Sequence, residues 1–459
     1  MVNMKNQNCM ISWKRPNLKW VAVLPLSVLL LTGCGSKKDY AKTMHDPVLF
    51  SKTVKKLNDV VLENNFPPMI ATRNYAYATI AAYEIVSAGD PANYQSLYQQ
   101  IKHMPAMPAA GDTSKIDFPL AALLAFTKVG NAVTFPEGSL MDYYGELLNM
   151  ADSVGMPSEK ISGSIAYSDT IVATIMAWSK KDNYAETRSA TRFTVNEEPG
   201  RYVPTPPMYA QAVEPHWMEI RTFVLDSASI CRAMVPPKFD PTNKNSAFYK
   251  AMMEVKQIGD SLTDEQKHIA DFWDDNPFKM NVTGHVMFAT KKFSPPGHWM
   301  NIVGIAAKKA GADFNTTVTG YAKTAIALFD GFISCWEGKY MYNYIRPETV
   351  INQLVDPEWR PYIQTPPFPS FPSGHATASA AAAESMTSVF GDNLAFTDTS
   401  LLEFGIANRE IKSFRQASAE AAMSRLYGGI HFRFDNDLGI ESGKRVGELV
   451  VQRLTMKKN

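Results

Sequence analysis

The stretch Asn74-Tyr75-Ala76-Tyr77-Ala78-Thr79-Ile80-Ala81-Ala82-Tyr83-Glu84-Ile85-Val86 decides the fold class. Its apolar and small residues recur at every third or fourth position, the period of a helix with a buried face and not the alternation of a strand. Outward from it, the same period returns at 120–129, 140–154, 164–180, 264–273, 301–310, 319–340, 376–390 and 437–454, and strand-like alternation is sparse. Segments rich in Pro and Gly, at 198–215, 235–242 and 364–372, punctuate these stretches. The expectation is an all-α protein with a C-terminal helical bundle over 231–459 and an additional helical region over 51–230. The 198–215 segment reads either as the boundary between them or as a long ordered loop inside one domain.

Composition narrows the partners. The 459 residues carry 46 Lys+Arg against 45 Asp+Glu, a net charge of +1, with 45% hydrophobic and 20% charged residues. A disordered chain would be poorer in apolar residues, and a nucleic-acid binder would carry a basic excess to displace counterions. Any anion this chain binds is therefore held by a local cluster of cations. Of the four cysteines, Cys9, Cys34, Cys231 and Cys335, no two form a C-x-x-C pair, which excludes zinc ribbons and thioredoxin-like redox motifs.

Residues 1–33 read as an address. Lys5, Lys14, Arg15 and Lys19 precede a short apolar run over 20–31, the layout of a secretory signal. The run is shorter than the ~20 residues a membrane-spanning helix needs. It ends in Leu31-Thr32-Gly33-Cys34, which resembles the bacterial lipobox, where cleavage precedes the Cys and a lipid is attached to its sulfur. The expectation is a lipoprotein of the bacterial cell envelope, periplasmic or surface-exposed, anchored to a membrane through Cys34 with 34–50 as a tether. Cys231 and Cys335 then remain as possible disulfide partners.

Three segments of the C-terminal part assemble one anion site. Lys339 and Arg346 are seven apart at the end of a helical stretch, so two turns would bring both cations to one face, with Pro347 marking the helix end. In Pro372-Ser373-Gly374-His375, Gly374 permits close approach of the backbone and Ser373 supplies a hydroxyl. The Ala-rich helix that follows turns its free amides and positive dipole end toward the same point. Ser424-Arg425 adds a third cation with forked donors. His431 adds an imidazole nitrogen, and Asp435 is placed to fix its tautomer. Together they would hold a phosphate-sized anion, with one histidine bonding its central atom and the other transferring a proton.

Lys339-x6-Arg346-Pro347, Pro372-Ser373-Gly374-His375 and Ser424-Arg425-x5-His431-x3-Asp435 resemble the three-part signature of the type 2 phosphatidic acid phosphatase and vanadium-dependent haloperoxidase superfamily. The resemblance implies a helical bundle enclosing the site. It implies that Lys339, Arg346, Ser373, Gly374 and Arg425 hold the oxyanion oxygens, that His375 is the acid–base residue, that His431 is the axial ligand of vanadate, and that Asp435 orients His431. It also implies two chemistries on one site. One is oxidation of halide by hydrogen peroxide to hypohalous acid with vanadate as cofactor. The other is hydrolysis of phosphate monoesters or lipid phosphates through a phosphohistidine, with no cofactor.

The chain leans toward the first chemistry. Beyond the address no apolar run approaches the length of a membrane span, unlike membrane phosphatases of the superfamily, and the chain is much longer than its small soluble acid phosphatases. Trp336 and Phe368 resemble aromatic positions lining the halide pocket of fungal chloroperoxidases. Asp274 or Asp275 is expected to pair with Arg425, and His298 to line the entrance. A phosphate-capturing protein would have no need of both His375 and His431. Serine-hydrolase, P-loop and zinc-hydrolase patterns are missing from the sequence.

Overall fold

Pro68–Gly89, the helix that contains the opening stretch, starts on proline at its first position and is buried on nearly every side. A helix apolar all round belongs at a centre, and this one packs against Phe118–Val133 and Phe314–Tyr342. The computed structural model describes residues 39–277, 279–283 and 285–458. The expected signal over 1–33, with Cys9, and the acylation site Cys34 lie outside the described residues. Of the tether expected over 34–50, the part after Asp39 is largely helical, forming Tyr40–Met44 and the start of Pro47–Glu63, whose first turn is capped by the Asp46 side chain.

The all-α expectation holds. Strands among the described residues are confined to two short antiparallel hairpins, Lys279–Thr283 with Val286–Thr290 and Phe396–Asp398 with Arg409–Ile411. No described helix is long and apolar enough to cross a membrane. Cys231 and Cys335 are both buried free thiols, so they form no disulfide.

Two features place the site. Phe314–Tyr342 packs on Pro68–Gly89 and on Gly374–Phe390, joining the N-terminal helices to the signature segments. Gly374–Phe390 in turn lies against Arg433–Arg453 along a stripe of glycines. A Cβ at Gly443 would stand 2.0 Å from the Thr377 carbonyl oxygen, and one at Gly447 would stand 2.6 Å from Glu384 Cβ. The missing side chains let the two backbones approach, which sets His431 and Asp435 beside Ser373 and His375.

Segment 198–215 runs as a strap tied down by backbone hydrogen bonds. Tyr202 N–H donates to the Asn343 carbonyl at 3.0 Å, Ile345 N–H to Gly200 at 3.0 Å, and Val213 N–H to Pro367 at 3.0 Å. At the other end of the chain, the last described residues close on the loop after Pro68–Gly89. Gln95 N–H and the Tyr83 hydroxyl both donate to the Met456 carbonyl, at 2.9 and 2.7 Å.

Candidate active site

The structure brings the three signature segments to one buried point. Lys339, Arg346 and Ser373 are fully buried, and Arg425 and His431 are only 1% and 2% exposed. The route by which Lys339 and Arg346 meet differs from a shared helix face. Phe314–Tyr342 ends at Asn343 in the left-handed region (φ 45°), and Arg346 stands in extended backbone as the cap residue before Pro347–Leu354. Pro347 therefore opens a new helix instead of marking the end of the old one.

Each cation is held by backbone carbonyls. Lys339 Nζ donates to Pro369, Ser370 and Pro372 at 2.9, 2.9 and 2.6 Å. Arg346 Nε donates to Phe368 at 2.8 Å and its Nη1 to Ile430 at 2.8 Å. Arg425 donates to the carbonyls of Trp273 and Asp274. Its expected pairing with an aspartate side chain is thus replaced by contacts to backbone. The Asp274 carboxylate faces Lys292 at 3.4 Å, and that of Asp275 faces His298 at 3.0 Å.

His431 is oriented from behind. Its Nδ1 lies 2.9 Å from Asp435 Oδ2, which also accepts from the Ser370 hydroxyl and from Phe432 N–H. The carboxylate holds the proton on Nδ1, so Nε2 presents a lone pair, and Arg346 Nη1 lies 3.2 Å from it. Burial, and then the charges of Arg346, Lys339 and Arg425, keep His431 well below the usual histidine range. His375 is depressed in the same way by burial, then by Arg425 and His298. Both imidazoles are neutral at neutral pH. Burial also pushes Arg346 and Arg425 down to about 10. Burial lowers Lys339 as well, and Arg346 adds to that shift.

The cage is matched to an oxyanion. Arg346 Nη2 and His375 Nε2 are buried polar atoms without a hydrogen-bond partner, the condition that a bound anion relieves. The Ser373 hydroxyl caps Gly374–Phe390 through Ala376 N–H at 3.4 Å, so that helix begins at the cage. A Cβ on Gly374 would stand 3.6 Å from Trp336 and 3.9 Å from Lys339 Cε, filling the floor of the cradle.

A narrow cleft leads to it, lined by Trp336, Phe368, His375, Arg425 and His431 among others. The Trp336 and Phe368 rings are 5.1 Å apart, and Lys339 Nζ lies 4.9 Å from the Phe368 centroid. Both aromatics thus wall the cleft. His298 does not line the entrance: it is fully buried, bridging Asp275 and Asp398. Sequence reasoning missed Ser370 and Asp398. The only signal for Ser370 was a serine set among the prolines of 366–372, and Asp398 gave none.

The family model for the second helical-bundle domain of the vanadium chloroperoxidases matches residues 320–458. No curated protein matches the chain. Among solved structures, a bacterial vanadium-dependent iodoperoxidase is 40% identical, with a TM-score of 0.85, covering 90% of this chain and 98% of its own. Holo and apo forms of a bacterial vanadium-dependent chloroperoxidase share the fold at 17% identity, with TM-scores of 0.63 and 0.65, each covering 84% of this chain and 92% and 94% of their own. With a cationic cage, an oriented imidazole and this degree of likeness over nearly its whole length, the chain belongs to the vanadium-dependent haloperoxidases.

Proposed function

We propose that this haloperoxidase uses hydrogen peroxide to oxidise iodide, with vanadate in the cage of the signature segments. The observation that carries the choice of halide is the 40% identity with a protein solved as an iodoperoxidase. Iodide is also the large, weakly hydrated halide best suited to a cleft walled by Trp336 and Phe368. In this reading His431 Nε2 would ligate the vanadate, and Lys339, Arg346, Ser373, Gly374 and Arg425 would hold its oxygens. When bound, vanadate activates peroxide toward two-electron oxidation of halide without changing its own oxidation state.

The residues account for the rest. The net reaction I⁻ + H2O2 + H⁺ → HOI + H2O consumes a proton, and His375 Nε2, unpartnered and on the cleft, is the atom placed to relay it once a bound oxyanion offsets the cationic charge that depresses the imidazole. Asp435 keeps His431 in the tautomer that offers its lone pair. The buried cations neutralise oxyanion charge in a site from which water is largely excluded. The sequence Leu31-Thr32-Gly33-Cys34 supports export and acylation at Cys34, which would hold the enzyme at a membrane of the bacterial envelope.

The test is reconstitution of the mature chain with orthovanadate, followed by peroxide-dependent oxidation of iodide and bromide. Iodide is expected to be favoured by about tenfold or more, equivalent to about 1.4 kcal/mol in the barrier. Equal rates would overturn the halide assignment. Phosphate-ester hydrolysis blocked by vanadate, with no halide oxidation, would overturn the reading as a whole. His431→Ala is expected to fall to background, and full turnover in that variant would overturn the ligand assignment.

A further inference from the structure

His298 lies outside the three signature segments, yet it has the most constrained surroundings of any histidine described. It is fully buried at the start of Pro295–Lys309. Its Nδ1 lies 3.0 Å from Asp275 Oδ1, and its Nε2 lies 3.0 Å from Asp398 Oδ2. Its ring stacks on Trp273 with centroids 4.7 Å apart. A neutral imidazole has one N–H, so in that form one ring nitrogen would turn its lone pair against a buried carboxylate. Only the imidazolium satisfies both.

The two carboxylates are themselves almost inaccessible, at 2% and 0% exposure, and one of them reaches the active site. Asp275 Oδ2 stands 3.9 Å from His375 Nε2. Asp275 follows Trp273 and Asp274, whose carbonyls hold Arg425, and its own backbone is in the left-handed region (φ 43°). Something must hold its side chain in place, and His298 does so.

We propose that His298 is a positioning residue for His375: a permanently protonated bridge between Asp398 and Asp275 that keeps the Asp275 carboxylate aimed at the acid–base imidazole. Burial works against the His298 proton, but Asp275 and Asp398 outweigh it and raise the group to about 10. The other charged groups around it are matched elsewhere. Asp274 faces Lys292 and Lys279, and Glu420, which accepts from Trp273 Nε1, faces Arg409. Arg425 and His375 complete the set on the cleft side. The bridge thus carries one excess negative charge, and that charge is presented to His375.

The inference rests on the acid–base role given to His375, and the two fail separately. His375→Ala with undiminished turnover would remove that role, whereas the bridge is read on His298 and Asp398, neither of which lines the cleft. In vanadate-free protein labelled with ¹⁵N-histidine, one ring is expected to keep both nitrogens protonated at about pH 8.5, well above the ordinary value of about 6.5. That signal should vanish in His298→Gln. A wild-type spectrum with no imidazolium at that pH would overturn the proposal.

The second readout is the His375 ionisation seen in the pH profile of kcat/KM for peroxide. His298→Gln removes a positive charge and should move it up by about one pH unit, while Asp398→Asn removes a negative charge and should move it down by about as much. Either variant suffices if the other does not fold. A lowered melting temperature with an unmoved profile would give the bridge a purely structural role and overturn the positioning claim.

Discussion

Two buried arginine sites in this chain are built in opposite ways. In the N-terminal half, Arg73 Nε lies 2.8 Å from the buried Asp182 carboxylate, which also accepts from the Tyr77 hydroxyl at 2.8 Å; Arg221 donates to that same hydroxyl at 3.0 Å. In the catalytic cage, Lys339, Arg346 and Arg425 face carbonyls, a hydroxyl and an imidazole, and among the described residues no carboxylate oxygen lies within 4.0 Å of any of them. In the first arrangement the buried Arg73 is matched directly by a buried carboxylate, and the pair serves the fold. The second is an unbalanced buried charge, tolerable because carbonyl dipoles share it and useful because an oxyanion completes it.

The comparison can be broken most severely at Arg73. Arg73→Ala strands the buried Asp182 charge and is expected to cost about 3–5 kcal/mol of folding free energy, read from the denaturant midpoint. An unchanged midpoint would mean that the N-terminal network is not what it looks like. Lys339→Met should do the reverse. Vanadate-free protein is expected to keep its stability or gain some, while vanadate affinity, measured by calorimetric titration, falls by roughly 10- to 100-fold for the loss of one buried charged hydrogen bond, about 1.5–3 kcal/mol.

The histidines sharpen the contrast through pH. His298, raised to about 10, contributes stability that is present below its unfolded value and is lost as pH rises through about 10. His375 and His431, both depressed, contribute stability present above their unfolded value of about 6.5 and lost as pH falls below it. The stability gap between wild type and His298→Gln should therefore narrow between about pH 6.5 and pH 10. A gap independent of pH in denaturant titrations would remove the charged bridge. Smallest of all is Ser370→Ala, which deletes one hydroxyl on Asp435 and is expected to cost about 1 kcal/mol, seen as a severalfold weaker vanadate affinity.

Much of the site was legible because its chemistry is written in short fixed spacings: a cap and helix start at Ser373-Gly374-His375, and the four positions from His431 to Asp435. What failed to show was geometry assembled from distant pieces. The bridge at His298 needs Asp275 after one helix and Asp398 on a three-residue strand, separated from it by 23 and 100 positions. Nothing local marks either partner. Pro295-Pro296-Gly297 opens the helix Pro295–Lys309, since proline fits a helix's first turn, and this buries His298. Lys339 and Arg346 were rightly paired for a reason that does not hold, since a left-handed Asn343 and a second helix bring them together. The hairpins escaped because strands of three to five residues offer too few alternations to read.

The closure of residues 456–458 onto the loop at Gln95 has a consequence in time. The carbonyl of Met456 is the partner for Gln95 N–H and for the Tyr83 hydroxyl on the central helix, and Lys458 N–H reaches the Asn93 carbonyl at 2.8 Å. An early-made segment thus waits for Met456 and Lys458, made much later, before its backbone is satisfied. Synthesis order and assembly order are uncoupled, and the N-terminal helices cannot complete themselves while the rest of the chain is still emerging.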